Sequence, residues 1–336
     1  MSIFWSIIIF GLLILVHEFG HFITAKRNDV KVEEFSLGMG PKVFDKKKGE
    51  TIYSLRLLPL GGFVRMAGME DQDQEDPRGF NRKTVGQRMA IIFAGPLMNF
   101  ITALLLFILA FMVVGIPSND NVIGQVIEGH PAVQAGLQPG DRIVAINEQK
   151  VETWRELVTI IHESPEEKIT LTVHRDDKVQ RIQVVPRKDP DSGFGMIGIM
   201  QSWERKGLLS ATVLGLEQAY EFTKLIIVSL LQMITGAIEP EVAGPVGVVS
   251  MVGEVSRFGI GSLMTFAGIL SINLGLINLF PIPALDGSRL VFLAFEGLRG
   301  RPIDPAKENF IHLVGFVLLM ALMVIITYQD ILRVFS

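Results

Sequence analysis

Two histidines and a glutamate lie inside a run of residues that is apolar enough to cross a lipid bilayer. They belong to the segment His17-Glu18-Phe19-Gly20-His21, and the flanking residues 3–16 and 22–25 carry no charged side chain. An ionisable side chain near the centre of a bilayer costs roughly 2.5 kcal/mol or more. Three such groups in one apolar run therefore indicate a functional site.

The spacing of these residues is typical of a metal site on a helix. Residues four apart share one helix face, so His17 and His21 can bind one Zn²⁺, and Glu18 can reach a water on the ion. The chain has no cysteine, which leaves His, Asp and Glu as possible ligands. The same pattern occurs by chance in solvated helices, but the apolar flanks favour a functional site.

Four apolar runs are long enough to cross a membrane, which takes about 20 residues. The predicted spans are residues 3–25, 89–114, 263–280 and 310–328. Mean hydropathy is positive, and a fifth of the residues are charged, so part of the chain is membrane-like and part soluble-like. The first run has no basic segment before it and no small-residue cleavage site, so we expect a retained anchor. The mildly acidic net charge carries no nucleic-acid signature.

Basic residues indicate the orientation of the spans. The loops between the first and second spans and between the third and fourth are rich in Lys and Arg, whereas the C-terminal tail has only Arg333. The positive-inside rule predicts both loops in the cytoplasm and both termini outside. His17, residues 94–99 and residues 278–287 then meet at one depth, near the cytoplasmic face.

A catalytic zinc site of this kind needs a third protein ligand and an open position for water. Asp286 is the best candidate, because it follows Pro281 and Pro283, which break the helix at membrane depth. An ordinary Pro-rich turn capped by Asp and Gly is the alternative. Other residues that could supply the ligand are His312, Glu217 and Glu221.

Three segments together resemble the signatures of a known family. Residues 17–21, Gly95-Pro96-Leu97-Met98-Asn99 and residues 278–287 are similar, in this order, to those of the site-2 protease family of intramembrane zinc metalloproteases. Within the family, the chain resembles the bacterial regulator-of-sigma-E protease type, with one PDZ-like domain. Phe19 replaces a more usual Leu, which we expect to be neutral because this side chain points away from the metal.

The resemblance implies a polytopic α-helical membrane protein with four transmembrane helices, a membrane-re-entrant β-hairpin and an inserted extracytoplasmic PDZ-like α+β domain. Its domains would be residues 1–118, 119–202 and 203–336. His17, His21 and Asp286 would bind one Zn²⁺ per chain, and Glu18 would be the general base.

Further residues match family positions that contact the substrate. Asn273 and Asn278 would bind its backbone, and Pro281 and Pro283 would shape the same groove. Hydrogen bonds between helices are the alternative role for the asparagines. Asn99 is left open between a site role and close packing of the second span against the first.

Residues 51–66 are rich in strand formers around a Pro and a Gly-Gly turn, which predicts a hairpin that dips into the membrane. This segment resembles the family's re-entrant β-loop, which can pair with an extended substrate by strand addition. An ordinary cytosolic hairpin is the alternative.

Residues 119–202 have the character of a soluble domain, with a helix near residues 154–162 and turn signals at residues 138–141 and 176–177. Residues 136–147 resemble the core of PDZ domains. The peptide-binding strand of a permuted version would include Ile197, Gly198 and Ile199, and a plain edge strand is the alternative.

Residues 208–236 combine apolar and charged side chains, which favours a helix lying along the interface. A fifth span here would put Asp286 on the wrong side of the membrane from His17. We predict a loop without chemistry at residues 244–247.

These features predict an intramembrane zinc metalloprotease of a bacterial cell membrane, with transmembrane proteins as substrates and the lipid bilayer as its surroundings. The resemblance implies single-pass regulatory proteins, such as trimmed anti-sigma factors, or remnant signal peptides. Two other functional classes are open. A divalent-metal transporter normally shows an internal repeat and a polar pathway, whereas here the candidate ligands cluster at one depth and no repeat is visible. A PDZ-bearing scaffold without catalysis would not need Glu18.

Overall fold

The computed structural model describes residues 2–69, 76–176, 178–190, 192–239 and 243–335 of the 336-residue chain. The chain divides into two compact units, one made of residues 1–110 and 208–336 and the other of residues 111–207.

Helices and strands of the described residues are numbered in chain order. The helices are α1 (Ser2–Arg27), α2 (Val85–Val113), α3 (Pro131–Gln134), α4 (Trp154–His162), α5 (Leu208–Ile234), α6 (Pro245–Ser256), α7 (Ile260–Leu279), α8 (Asp286–Arg299) and α9 (Pro305–Phe335). The strands are β1 (Val32–Lys48), β2 (Thr51–Met66), β3 (Ile116–Pro117), β4 (Ile123–Val126), β5 (Arg142–Ile146), β6 (Gln149–Lys150), β7 (Ile169–Arg175), β8 (Lys178–Val184), β9 (Arg187–Lys188), β10 (Gly195–Met196), β11 (Ile199–Gln201) and β12 (Trp203–Glu204).

Four helices in the described ranges are long and apolar enough to cross a membrane. They are Ser2–Arg27, Val85–Val113, Ile260–Leu279 and Ala306–Arg333. They contain or overlap the four predicted runs, so the prediction of four helices of membrane-spanning length and composition is confirmed. Helix α5 is not among them, and its interfacial position stays a prediction.

Strands β1 and β2 form one sheet whose pairing differs from the predicted hairpin. Residues 51–55 and 62–66 of β2 pair with the two sides of residues 32–37 of β1, and residues 42–48 of β1 pair with residues 51–56. The prediction that residues 51–66 pair with one another is therefore wrong. The strand order is 62–66, 32–37, 51–55 and 42–48.

Glycines allow both long strands to bend back. Gly38 and Gly40 of β1 and Gly61 of β2 have positive φ angles of 87°, 83° and 78°, which side-chain-bearing residues rarely adopt. A Cβ at Gly38 would also stand only 2.5 Å from the carbonyl oxygen of Leu58. These bends split each strand in two and leave residues 62–66 at one edge of the sheet.

A buried carboxylate holds the middle of this sheet together. Glu34 is 4% exposed and accepts hydrogen bonds from Ser54 Oγ at 2.6 Å and Arg56 at 2.7 Å. Burial by itself would raise the pKa of Glu34, but these hydrogen bonds outweigh it and hold the pKa below its ordinary value. A paired charge is tolerated in the sheet because its hydrogen bonds are satisfied.

Residues 111–207 form an α+β unit with its own core. Four strands pair in the order β6-β5-β7-β8, and β11 pairs with β4. The fully buried side chains of this core include Ile143, Leu157, Ile169 and Leu171. The predicted helix near residues 154–162 is confirmed as α4, and Asp177 of the predicted turn lies outside the described residues.

The predicted loop at residues 244–247 is wrong, because helix α6 begins there. Gly244 is extended and precedes Pro245 at the first helical position. Pro fits that position because its fixed φ suits a helix and its missing N–H has no partner there in any case.

Candidate metal centre

The structure brings together three of the predicted ligands. His17 and His21 lie one turn apart on α1, and Asp286 is the first residue of α8. Asp286 Oδ2 lies 3.1 Å from His17 Nε2 and 3.2 Å from His21 Nε2. The two Nε2 atoms are 3.2 Å apart.

Broken backbone before α8 aims Asp286 at the histidines. Helix α7 ends at Leu279, and Ala284 has a positive φ of 75°. A Cβ at Gly287 would overlap the carbonyl oxygens of Leu279 and Phe280, so a glycine is needed for α8 to start this close to α7. This geometry explains physically why a glycine follows the aspartate.

Helix α2 closes the other side of the centre through two glycine contacts. A Cβ at Gly95 would overlap His21 Nε2, and a Cβ at Gly20 would overlap the carbonyl oxygen of Ala94. The two helices therefore approach at backbone distance, and the imidazoles lie against α2.

The outer ring nitrogen of each histidine has a partner on α2. His21 Nδ1 lies 2.9 Å from the carbonyl oxygen of Ile91, and His17 Nδ1 lies 3.0 Å from the side-chain amide of Asn99. Such outer partners fix the ring orientation of metal-binding histidines. Sequence reasoning missed Ile91, because a backbone carbonyl has no side-chain signal.

The three residues fit a zinc ion. Both imidazoles are buried, and Asp286 Oδ2 is buried without a hydrogen-bond partner, although two ring nitrogens lie within 3.2 Å of it. Ligands about 2.1 Å from a tetrahedral ion stand about 3.4 Å apart, so a small shift of these atoms would accommodate one. Within the described part of the chain, these residues are the one group of three His, Asp or Glu residues found close enough to share an ion.

A cavity of about 470 Å³ opens beside this group. Glu18 lines it together with the three candidate ligands, and the edge segment 62–66 forms one wall. A Cβ at Gly62 would stand 3.0 Å from Glu18 Cγ, so this strand runs directly against the glutamate. The cavity thus places a carboxylate, a candidate metal and a strand edge around one space.

The predicted substrate-binding residues divide into groups. Asn278 lines the cavity, and its side chain donates to the carbonyl oxygen of Leu274 within α7. Asn273, Pro281 and Pro283 are not among the lining residues of this cavity. Pro283 instead lies against Gly315 of α9.

The segment Ile197-Gly198-Ile199 lies in the other unit, where Ile199 begins β11 and Gly198 has a positive φ of 81°. The carbonyl oxygens of Ile197 and Gly198 accept hydrogen bonds from the N–H groups of Ala132 and Ile127. The segment is thus anchored to the neighbouring strand and helix of its own unit.

Arg289 is a cavity residue that sequence reasoning missed. It lines the space beside the metal group and lies one helical turn after Asp286. The position of Asp286 at a helix start could have indicated it, because residues three apart share a helix face.

The competing ligands lie elsewhere. His312 accepts a hydrogen bond from the N–H of Ala284 at 3.0 Å. Glu221 pairs with Lys224 of the same helix at 3.8 Å. Glu217 also lies on α5 and is not part of the metal group.

Comparisons with known proteins agree with this chemistry. The model of peptidase family M50 matches residues 5–322. The chain is 36% identical to the zinc metalloprotease RasP of Geobacillus kaustophilus, over 99% of this chain and 98% of that one. It is 35% identical to the regulator of sigma-W protease RasP of Bacillus subtilis, over 98% of each chain, and 34% identical to the probable protease eep of Enterococcus faecalis, over 99% of each.

Among solved structures, the PDZ domain of the SdrC-like protein from Listeria innocua is 21% identical, with a TM-score of 0.23. That match covers 25% of this chain and 96% of that one.

The family match and the relatives decide between the functional classes considered from the sequence. Both cover nearly the whole chain, and the relatives carry the names of zinc proteases, so a metal transporter and a catalytically silent scaffold are not favoured. The four apolar helices make the chain a membrane-integral protein. The chain belongs to peptidase family M50 and is a zinc metalloprotease.

Proposed function

We propose that this protease cuts peptide bonds within the transmembrane segments of single-pass membrane proteins. His17, His21 and Asp286 would hold the zinc ion, and Glu18 would act as the general base. The observation that carries the proposal is the burial of this ionisable group on a helix of membrane-spanning length, beside a cavity that Glu18 lines.

When bound, zinc lowers the pKa of a water molecule and polarises the carbonyl of the scissile bond. Glu18 takes the proton from the attacking water and returns it to the leaving amine. The carbonyl oxygen of Ile91 and the amide of Asn99 hold the imidazoles while this occurs. The chain thereby supplies orientation and proton transfer at one face of the cavity.

A transmembrane helix must become extended before its peptide bonds can be cut, because its backbone groups are otherwise hydrogen-bonded to one another. Residues 62–66 form an edge of their sheet and a wall of the cavity. They can pair with an extended substrate by strand addition. Asn278 lies on the same cavity and would hold a further backbone group.

The sheet carries an apolar surface suited to lipid. Large apolar side chains at its bends are exposed, including Val43, Phe44, Leu57 and Leu58 at 50–62%. Several large exposed apolar side chains on one small sheet favour a membrane or protein contact. We infer a re-entrant position for the sheet on the cytoplasmic side. Both termini and the unit of residues 111–207, which we take as the PDZ-like unit, would lie outside.

The PDZ-like unit is proposed to select substrates through the strand at Ile197-Gly198-Ile199. It would exclude bulky extracytoplasmic domains, or bind the new C-terminus of a trimmed substrate. The Bacillus subtilis relative is named a regulator of sigma-W protease, which supports regulatory proteins such as trimmed anti-sigma factors as substrates. Remnant signal peptides are proposed as a second class of substrate.

The decisive experiment incubates detergent-purified protein with a model transmembrane substrate, with and without a zinc chelator, and maps the products by mass spectrometry. Chelator-sensitive cleavage inside the apolar segment is expected. Cleavage only in soluble flanks would reject the intramembrane assignment.

A second experiment replaces residues 121–202 with a flexible linker. Cleavage of a pre-trimmed substrate should be nearly unchanged, and the untrimmed substrate should become cleavable. If the untrimmed substrate is still rejected, the selection lies in the membrane unit.

A further inference from the structure

Asn99 lies at the back of the metal group. It is fully buried, and its side-chain Nδ2 lies 3.0 Å from His17 Nδ1. It is not among the lining residues of the cavity at Glu18, so a substrate in that cavity would not meet its amide. Its role must be sought in what it does to His17.

The second ligand shows what a metal requires of the outer ring nitrogen. The carbonyl oxygen of Ile91 can only accept, so His21 Nδ1 must carry the hydrogen and Nε2 must present a lone pair. A neutral imidazole binds a metal in this tautomer. His17 needs an equivalent acceptor at its own Nδ1.

The amide of Asn99 can supply that acceptor after a turn about its last bond. With Nδ2 facing the ring, the amide donates to Nδ1, and the hydrogen of His17 then lies on Nε2, facing Asp286. The side-chain oxygen of Asn99 is meanwhile buried without a partner. Oxygen and nitrogen of an amide are nearly equal in shape, so the reversed orientation fits the same space and accepts from Nδ1.

Neighbouring helix α7 holds Asn99 in place for this contact. Ser271 is fully buried and donates from Oγ to the main-chain oxygen of Asn99 at 2.8 Å. A Cβ at Gly275 would stand 3.3 Å from Asn99 Cβ. The residue is therefore fixed between the two helices, with its amide as the group left to turn.

We propose that Asn99 is a positioning residue that fixes the metal-binding tautomer of His17 by accepting its Nδ1 hydrogen through the side-chain oxygen. This inference rests on the proposed metal centre. It gives residues 95–99, the second of the three family signatures, a part in metal binding in addition to helix packing.

The test compares variants that differ in acceptor capacity. Asn99→Asp accepts a hydrogen bond but cannot donate one. Asn99→Leu has a similar volume and can do neither. Asn99→Ala removes the side-chain amide and leaves a smaller side chain. Ser271→Ala is the graded comparison, since it removes a hydrogen bond that holds the same residue but leaves the side-chain amide beside the imidazole. Zinc dissociation constants are measured by competition with a chelator of known affinity, alongside thermal unfolding of the zinc-loaded protein.

We expect Asn99→Leu and Asn99→Ala to weaken zinc binding about 10- to 100-fold. Asn99→Asp and Ser271→Ala should both stay within a few-fold of the wild type, because each keeps an acceptor beside His17. If Asn99→Leu does not fold, the zinc dissociation constants of Asn99→Ala and Asn99→Asp test the proposal.

Equal zinc affinity in Asn99→Ala and the wild type would overturn the proposal. A loss in Asn99→Asp as large as in Asn99→Ala would do so too, because it would show a requirement for the amide itself. If the wild type binds no zinc at this site, the proposed metal centre fails instead, and the two failures are thus distinguished.

Discussion

Helices α1 and α9 are both long enough and apolar enough to cross a membrane, yet they are packed very differently. In the most apolar part of α1, 28% of the residues are buried against the protein, compared with 6% in α9. Helix α1 lies against α6 and the sheet of β1 and β2 and meets α2 at Gly20, whereas α9 leaves most of its large apolar side chains exposed. The exposed apolar side chains of α9 are suited to lipid surroundings.

Each helix nevertheless carries a buried ionisable group. On α1 the histidines face Asp286 and the cavity. On α9, Asp330 is 4% exposed and accepts a hydrogen bond from the N–H of Gly247 at 2.7 Å, in the first turn of α6. A carboxylate is favourable at a helix N-terminus. An ionisable side chain in an apolar helix therefore belongs to the candidate metal centre in α1 and to a contact with another helix in α9.

His312 of α9 sharpens the contrast with the histidines of α1. Its Nδ1 accepts from the N–H of Ala284, and its ring packs edge-on against Phe292. It therefore supports the broken segment that precedes Asp286 and does not face the metal group.

The largest effect is expected for Glu18→Gln on α1. The amide cannot accept the proton of the attacking water, so cleavage should fall by a factor of about 10² to 10⁴. Zinc content, measured by mass spectrometry of the intact protein or by atomic absorption, should match the wild type. Retained turnover would end the proposed mechanism.

Next in size, Asp286→Ala should lower both zinc affinity and cleavage, because it removes one of three protein ligands. His312→Ala is its comparison on α9: it removes a contact to the segment before Asp286 but no candidate ligand, so it should keep far more zinc than Asp286→Ala. Equal zinc content in Asp286→Ala and the wild type would move the third ligand elsewhere, and an equally large loss in His312→Ala would break the distinction between the helices.

Glycine-to-alanine substitutions at close helix contacts test whether α1 or α9 can shift to make room for a Cβ. A Cβ at Gly20 would overlap the backbone of α2 and one at Gly315 would overlap Pro283, while Gly11 has open space. Gly20→Ala should cost about 1–3 kcal/mol, as overpacking does, and lower zinc affinity. Gly315→Ala should cost less, because α9 can shift in lipid, and Gly11→Ala should be neutral. Thermal unfolding and zinc titration would measure this, and the comparison fails if Gly315→Ala loses as much zinc as Gly20→Ala.

The smallest effect on zinc binding is expected at Asp330. Asp330→Ala removes a hydrogen bond to a charged acceptor, worth about 1.5–3 kcal/mol of stability, while Asp330→Asn keeps an acceptor oxygen and should lose less. Zinc affinity should not change in either variant. Unfolding in detergent with zinc titration checks both, and reduced zinc affinity would tie α9 to the metal centre after all.

The sequence by itself determined the features that depend on local spacing and composition. His17 and His21 share a face because they are four residues apart in a helix, and the four spans follow from the lengths of the apolar runs. The break at Pro281 and Pro283 pointed to Asp286 as the candidate third ligand, and the structure brings it to the two histidines. None of these inferences requires knowledge of what packs beside the segment.

Only the tertiary structure decided which partners these residues meet. The acceptor for His21 is the backbone carbonyl of Ile91, which leaves no mark in the sequence, and Asn99 could be read as packing until His17 lay beside it. Residues 51–66 have the composition of a hairpin, yet their halves pair with β1, because the bends at Gly38 and Gly61 bring distant backbone into register. Asp330 meets α6 from more than 80 residues away. Such contacts depend on the whole chain, since hydrogen-bond partners are chosen by position in space and not by distance along the sequence.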